Sequence, residues 1–301
     1  MRISLLILIS VLILSACKTI TIDEPKTHVI PESVELIKIP AGKYTAGQTN
    51  VEKYIEYDYY MMKYPVTNLQ YIEYLKAASA SGDVTITGES ATGFYAGDKN
   101  WPAGIYEFID FYDTDSRIGF NPPNEYVIKF NYFNNQKEYY DLHPVTEVTW
   151  FGANAFAKYY GMRLPTTEEW EKAARANTGY KYPWGNDFDS TKVNFLNSGD
   201  TYDNGTNPVG YFNGRNNKHT DSQSPYGIYD LCGNVWEWTE SWKEHSAGKI
   251  IRGGSWRSIY SRFSAISELF TWFEPTYGYS PKNSSSDIGF RCVMDTSLTT
   301  N

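Results

Sequence analysis

The sequence predicts an α+β domain with few regular elements and long packed loops, and three observations carry that expectation. Three short stretches combine a helix cap with an apolar stripe. Separate apolar runs of strand length lie at 35–39, 249–252 and 288–293. Most of the remaining chain is Gly, Asn, Asp, Ser and Tyr without periodicity. Irregular backbone must be covered by large side chains, and the 301 residues include 50 aromatics (26 Tyr, 15 Phe and 9 Trp). At 21% charged and 41% hydrophobic the chain is not of the disordered class. A net charge of −8 offers no basic face for phosphates, so no nucleic-acid partner is expected. Three cysteines cannot staple a chain of this length. No Pro/Ser/Gly-rich linker and no repeat of 20–50 residues interrupts the chain after Val34, which predicts one domain over 34–296 and a short tail at 297–301.

The N-terminus reads as a leader. Met1-Arg2 precedes an apolar run over residues 3–16, shorter than the roughly 17–25 residues of a bilayer span. It closes in Leu14-Ser15-Ala16-Cys17, which resembles the lipobox of bacterial lipoproteins. That resemblance implies a signal peptide over 1–16 and a diacylglyceryl group on the sulfur of Cys17. Residues 17–33 would then be the lipidated start and a flexible tether, holding the domain at a membrane of the bacterial cell envelope, outside the cytoplasm. Cleavage removes Arg2 and no acid, taking the charge from −8 to −9.

The helices follow from their caps. Thr67-Asn68-Leu69-Gln70 is a T-x-x-Q capping box, with Tyr71, Ile72, Tyr74 and Leu75 behind it. Thr149 caps a second helix carrying Phe151, Ala155, Phe156 and Tyr159, and Gly161 is placed to end it. Thr166-Thr167-Glu168-Glu169 is another capping box after Pro165, with Trp170, Ala173 and Ala174 at helical spacing. Between the first two lies 79–142, crowded with aromatic rings and lacking a clear period. It reads either as a loop insertion packed by its own rings or as the wall of a binding cleft.

Eight segments in order resemble the formylglycine-generating enzyme family, also called sulfatase-modifying factors. They are Ile39-Pro40-Ala41-Gly42, Tyr64-Pro65-Val66-Thr67-Asn68, His143-Pro144-Val145-Thr146-Glu147-Val148-Thr149-Trp150 and Gly161-Met162-Arg163-Leu164-Pro165-Thr166. Tyr182-Pro183-Trp184-Gly185-Asn186 follows, then Gly227-Ile228-Tyr229-Asp230 running into Gly233-Asn234-Val235-Trp236-Glu237-Trp238, Arg252-Gly253-Gly254-Ser255-Trp256 and Ile288-Gly289-Phe290-Arg291-Cys292. The resemblance spans 39–292 and implies a C-type-lectin-like fold. The family also occurs as bacterial surface lipoproteins, among them the variable lectin-like proteins of diversity-generating retroelements.

The family's enzymes oxidise a sulfatase cysteine with O₂, using two thiolates that hold Cu(I), a soft ion suited to sulfur. The positions that the resemblance assigns to those thiolates are Ser258 and, by a looser alignment, Phe263. No cysteine lies between Cys232 and Cys292, so no copper is expected and no catalytic residue is assigned. Cys232 and Cys292 are either buried free thiols or a disulfide. The four histidines have no metal-triad spacing, and His143 reads as a core hydrogen-bonding residue. No H-x-x-x-H-x-E, nucleophile elbow or P-loop lysine is present.

The resemblance also implies a structural Ca²⁺ on the side chains of Asp230 and Glu237 and the carbonyls of Gly233 and Val235, with a second site involving Asn194 and Phe195. Finally, half of the 32 residues in 256–287 are serine or aromatic. Trp256, Ser258, Tyr260, Trp272, Phe273, Tyr277 and Tyr279 are the candidate ligand contacts there, since rings give contact area and serine gives adaptable hydrogen bonds. The expectation is a lipid-anchored envelope protein whose domain binds a protein, peptide or glycan without catalysis. The alternatives are an active oxidase or other oxidoreductase of the family, or a structural component of envelope assembly.

Overall fold

The computed structural model describes residues 28–121, 125–133, 135–202, 204–215, 220–259 and 267–296. Cys17, Tyr260 and Phe263 lie outside them, as do the leader and most of the tether.

All three helices begin where their caps place them. In α1 (Asn68–Ser81), Thr67 Oγ1 accepts from the Gln70 amide and the Gln70 side chain accepts from the Thr67 amide. Gly82 closes it in the left-handed region at φ 85°. Helix α2 (Trp150–Tyr159) starts on Thr149; its last carbonyls are taken by Gly161, at φ 69°, and Met162. In α3 (Thr167–Arg175) the capping box joins Thr166 and Glu169. Trp170, Ala173 and Ala174 face the core as expected, but α3 also buries Glu169, Glu171, Lys172 and Arg175. Each of these has a polar partner, which is the condition for keeping such groups out of water.

Two small sheets tie distant parts of the chain together. Leu36–Ile39 and Val293–Asp295 flank Tyr59–Met62, both antiparallel to it. Trp236–Trp242 is flanked by Lys249–Arg252, antiparallel, and Ile288–Gly289, parallel. The single strand expected over 288–293 is therefore corrected to two: Ile288–Gly289 joins one sheet, Phe290–Cys292 crosses, and Val293–Asp295 joins the other. The segment 79–142 is also corrected, from irregular loop to antiparallel strand. Val84–Ile86, Ser90–Tyr95 and Gly104–Asp110 form a meander, and two hairpins follow, Ile118–Asn121 with Glu125–Ile128 and Phe130–Phe133 with Gln136–Tyr139. One face of the meander packs Ala91, Tyr95 and Phe108 against α2, while Phe94 and Ile105 remain exposed on the other. Apolar side chains on both faces hide the two-residue period that marks a strand.

The main core gathers α1, α2, the meander and the strand of Trp236 and Trp238. A second core surrounds Trp170 of α3. Between them sits a buried ion pair: Arg291 donates to Glu237 at 2.6 and 2.8 Å, and both side chains are fully enclosed.

Candidate functional site

The chain leaves the Lys249–Arg252 strand through Gly253 (φ 102°) and Gly254 (φ 73°), and a Cβ on Gly254 would lie 2.6 Å from Leu269 Cδ2. The arm that follows is closed by Asp287. Ser255 Oγ donates to one of its oxygens at 2.7 Å and Ser285 Oγ to the other at 2.5 Å, while Trp256 Nε1 donates to the Ser286 carbonyl. Ser258, which the family resemblance assigns to a copper thiolate, points inward. It is buried, and its Oγ accepts from the Ser255 amide at 3.1 Å. It therefore supports the loop and does not face a ligand.

The other expected contacts separate. Trp256 is half-buried beside Arg257, whose guanidinium carbon is 4.8 Å from the ring centroid. Tyr279 packs edge-on to Trp238, and Phe273 leans on Trp236. Tyr277 is 83% exposed. Trp272 lines a cleft that none of the others lines, next to Phe270, with the Arg175 guanidinium 4.8 Å from its ring centroid.

Near Trp256 and Arg257 the structure assembles three carboxylates. Oxygens of Asp113, Asp115 and Glu147 lie within 4.8 Å of one another, and Arg257 approaches Asp115 at 3.9 Å. Asp113 and Asp115 come from the segment 79–142, which thus supplies a wall beside the arm. Burial, chiefly, pushes the Glu147 carboxyl up to about 7, helped by Asp113, Asp115 and Asp287 and opposed by a bond from Ser284. Oxygen donors of this kind suit a hard cation. The pair in Tyr112-Asp113-Thr114-Asp115 was visible in sequence, but nothing there linked it to Glu147.

Neither described cysteine offers a thiolate. Cys232 and Cys292 are both free and buried, and burial pushes both thiols well above their ordinary range. Cys232 Sγ donates to the Leu269 carbonyl. With a buried hydroxyl at Ser258, this donor set does not fit Cu(I), which needs soft sulfur ligands. His143 is enclosed, hydrogen-bonded to Thr206 Oγ1 at 3.0 Å, and pushed down to about 3 by burial.

For calcium, the two expected sets differ. Glu237 accepts from Trp170 Nε1 as well as from Arg291, so its charge is already matched inside the protein. Asp230 accepts from the Gly210 amide, and burial raises its carboxyl to about 6. That set is poorly suited to a cation as it stands. Asn194 is different: its Nδ2 donates to the Gly205 carbonyl and Asn207 Oδ1, while its buried Oδ1 has no donor. Asp200 is tied to the same network through Asn207. An enclosed oxygen without a donor is what a ligand atom of Ca²⁺ requires.

Residues 22–296 match the family described as Sulfatase-modifying factor enzyme 1-like domain. A protein of Chlamydia caviae named serine/threonine-protein kinase pkn1 is 27% identical over 300 residues, 90% of this chain and 40% of that one. The inactive C-alpha-formylglycine-generating enzyme 2 of Mus musculus is 37% identical over 160 residues, half of this chain and 48% of its own length. The chain thus spans less than half the length of these relatives. Among solved structures, PvdO from Pseudomonas aeruginosa superposes with a TM-score of 0.57 at 18% identity, over 89% of this chain and all of that one.

Proposed function

The chain belongs to the sulfatase-modifying factor enzyme 1-like family, and on that footing we propose that it is a non-catalytic ligand-binding module, lipid-anchored through Cys17 in a bacterial envelope. The observation that supports this most is Ser258, an inward-facing hydroxyl where the family's enzymes carry a copper thiolate. Sequence similarity to a relative named as inactive is in keeping with it. The surfaces left to bind a protein, peptide or glycan are the two faces of the 256–287 arm, one at Trp256 and Arg257 and one at Trp272. A structural Ca²⁺ is part of the proposal, supported by the orphaned Asn194 oxygen.

The test is direct. Purified protein given Cu(I), O₂ and a Cys-x-Pro-x-Arg peptide should form no formylglycine above background by mass spectrometry. Turnover by the unmodified chain would overturn the non-catalytic reading. Turnover abolished by Ser258→Ala would place an unrelated chemistry in the same loop.

A further inference from the structure

A cleft opens beside Trp272. It encloses about 620 Å³ between Gln48, Asn50, Thr178, Gly179, Lys181, Asn186, Phe270 and Trp272. From this lining we infer that it is a saccharide site, selective for a chain of sugars bearing carboxylate or sulfate groups. The inference rests on the ligand-binding reading above and names the ligand class of one of its two faces.

Beside the Gln48 amide and the Thr178 hydroxyl, the polar wall offers three donor groups. Asn50 Oδ1 is held by Arg175 Nη2 at 2.6 Å, which turns the Asn50 NH₂ away from it, and among the described residues no acceptor meets that NH₂. Asn186 Oδ1 accepts from the Lys181 amide at 3.1 Å, and among the described residues no acceptor meets its NH₂ either. Lys181 Nζ is exposed and has no ion-pair partner among the described residues, and no carboxylate lines the cleft. A ligand that satisfies this wall must be rich in acceptors.

The apolar wall is two half-buried rings, with Phe270 and Trp272 centroids 5.0 Å apart. Trp272 is fixed from behind. Arg252 donates to the carbonyls of Thr271, Trp272 and Phe273, which clamps the backbone on which the ring sits. Rigid rings beside oriented amides present a flat apolar face together with directed hydrogen bonds, which is what a pyranose ring offers in return. An extended peptide would instead look for a strand edge to pair with, and the lining residues lie in turns and loops.

The charge preference comes from the floor. Arg175 and Arg252 are both fully buried and both lean on Glu171, at 3.0 and 3.2 Å. Glu171 is shared by the two guanidiniums, and Glu274, 3.5 Å from Arg252, is shared with Lys243, so two carboxylates answer three cations. Arg175 Nε has no acceptor, and its guanidinium lies against the Trp272 ring. The cleft thus lies over incompletely balanced positive charge, with Lys181 at its rim, and the field favours an anion.

The experiment is a titration of the intact chain with a galacturonate tetramer and a sulfated tetrasaccharide, followed by tryptophan fluorescence and calorimetry. Saturable binding of either, weakening with salt, is expected. Lys181→Gln changes an exposed side chain and should weaken binding about fivefold, the scale of one partly exposed charged contact. Trp272→Ala should remove both binding and quench, whereas Phe94→Ala, at an exposed ring of the meander, should leave them. Absence of binding to both acidic probes overturns the inference. Equal binding of a neutral N-acetylglucosamine tetramer, indifferent to Lys181→Gln, overturns the charge preference. Equal displacement by hexaglutamate overturns the saccharide class. Formylglycine turnover would defeat the non-catalytic reading while leaving these titrations intact, so the two failures are distinguishable.

Discussion

Glu237, read in sequence as a cation ligand, is met in the structure by donors of the protein itself. The motif around it suggests a cation ligand, yet its two oxygens take three donors, from Trp170 and twice from Arg291. Removing one partner of an enclosed pair strands the other charge, so Glu237→Gln should cost about 3–5 kcal/mol in urea unfolding. That loss should be the same in excess chelator and in excess Ca²⁺; a melt that responds to Ca²⁺ should instead lose its response in Asn194→Ala. Glu147 makes a second prediction. Its carboxyl is raised from the usual 4.5 to about 7, so between those values the folded chain keeps a proton that the unfolded chain has lost. Its contribution to stability therefore falls as pH rises from about 4.5 and is fully lost above about 7. Asp230 acts in the same direction, whereas neutral His143 makes folding less favourable as pH drops below about 6.5. Glu147→Gln isolates the first of these: its stability should exceed that of the parent at pH 8 and converge with it near pH 4.5. A constant gap across that range would rule the effect out. Of these residues, only His143 had its role legible in sequence, because pairing across distant loops leaves no local pattern.

At the scale of elements, the helices were legible because their signals are local. Thr67, Thr149 and Thr166 each satisfy an amide within their own first turn. The meander was not, because Phe94 and Ile105 put apolar side chains on the face opposite Tyr95 and Phe108. The 256–287 arm lies between these cases. Its composition marked it as a surface, but its course depends on a crossing that no motif announces. Lys249 and Tyr279 exchange backbone hydrogen bonds at 2.7 and 2.8 Å, and next to them Gly248 and Gly278 meet backbone to backbone. A Cβ on Gly278 would lie 2.7 Å from the carbonyl carbon and oxygen of Gly248. Backbone cannot rotate away as a side chain does, so Gly278→Ala should force the strands apart and loosen the arm. Limited proteolysis should then cut within 270–285 while α1 to α3 stay protected, and unchanged protection would show the contact to be dispensable.

At the scale of the whole molecule, family order was readable because the eight motifs are mostly packing motifs, fixed by the core they build. Arg291 of the last motif, for example, donates to Glu237 and to the carbonyls of Met62, Lys63 and Tyr229, joining the last motif to the sixth and to the residues that lead into the second. Ligand chemistry was less readable, since the Trp272 cleft closes between Asn50 and residues more than 120 positions away. What places such a domain in a cell is a separate physical question. Among the described residues no helix is long and apolar enough to cross a membrane, and the net charge of −8 gives no electrostatic hold on anionic lipid. The anchor proposed above would draw its force from acyl chains, at about 0.8 kcal/mol for each buried CH₂. One chain gives only marginal attachment, but the two of a diacylglyceryl group on Cys17 would hold firmly. Cys17→Ser removes the acceptor sulfur without touching the folded domain, so the variant should melt like the parent yet move from the membrane pellet to the soluble fraction. Persistence in the pellet after a high-salt wash would mean that something other than Cys17 anchors the chain.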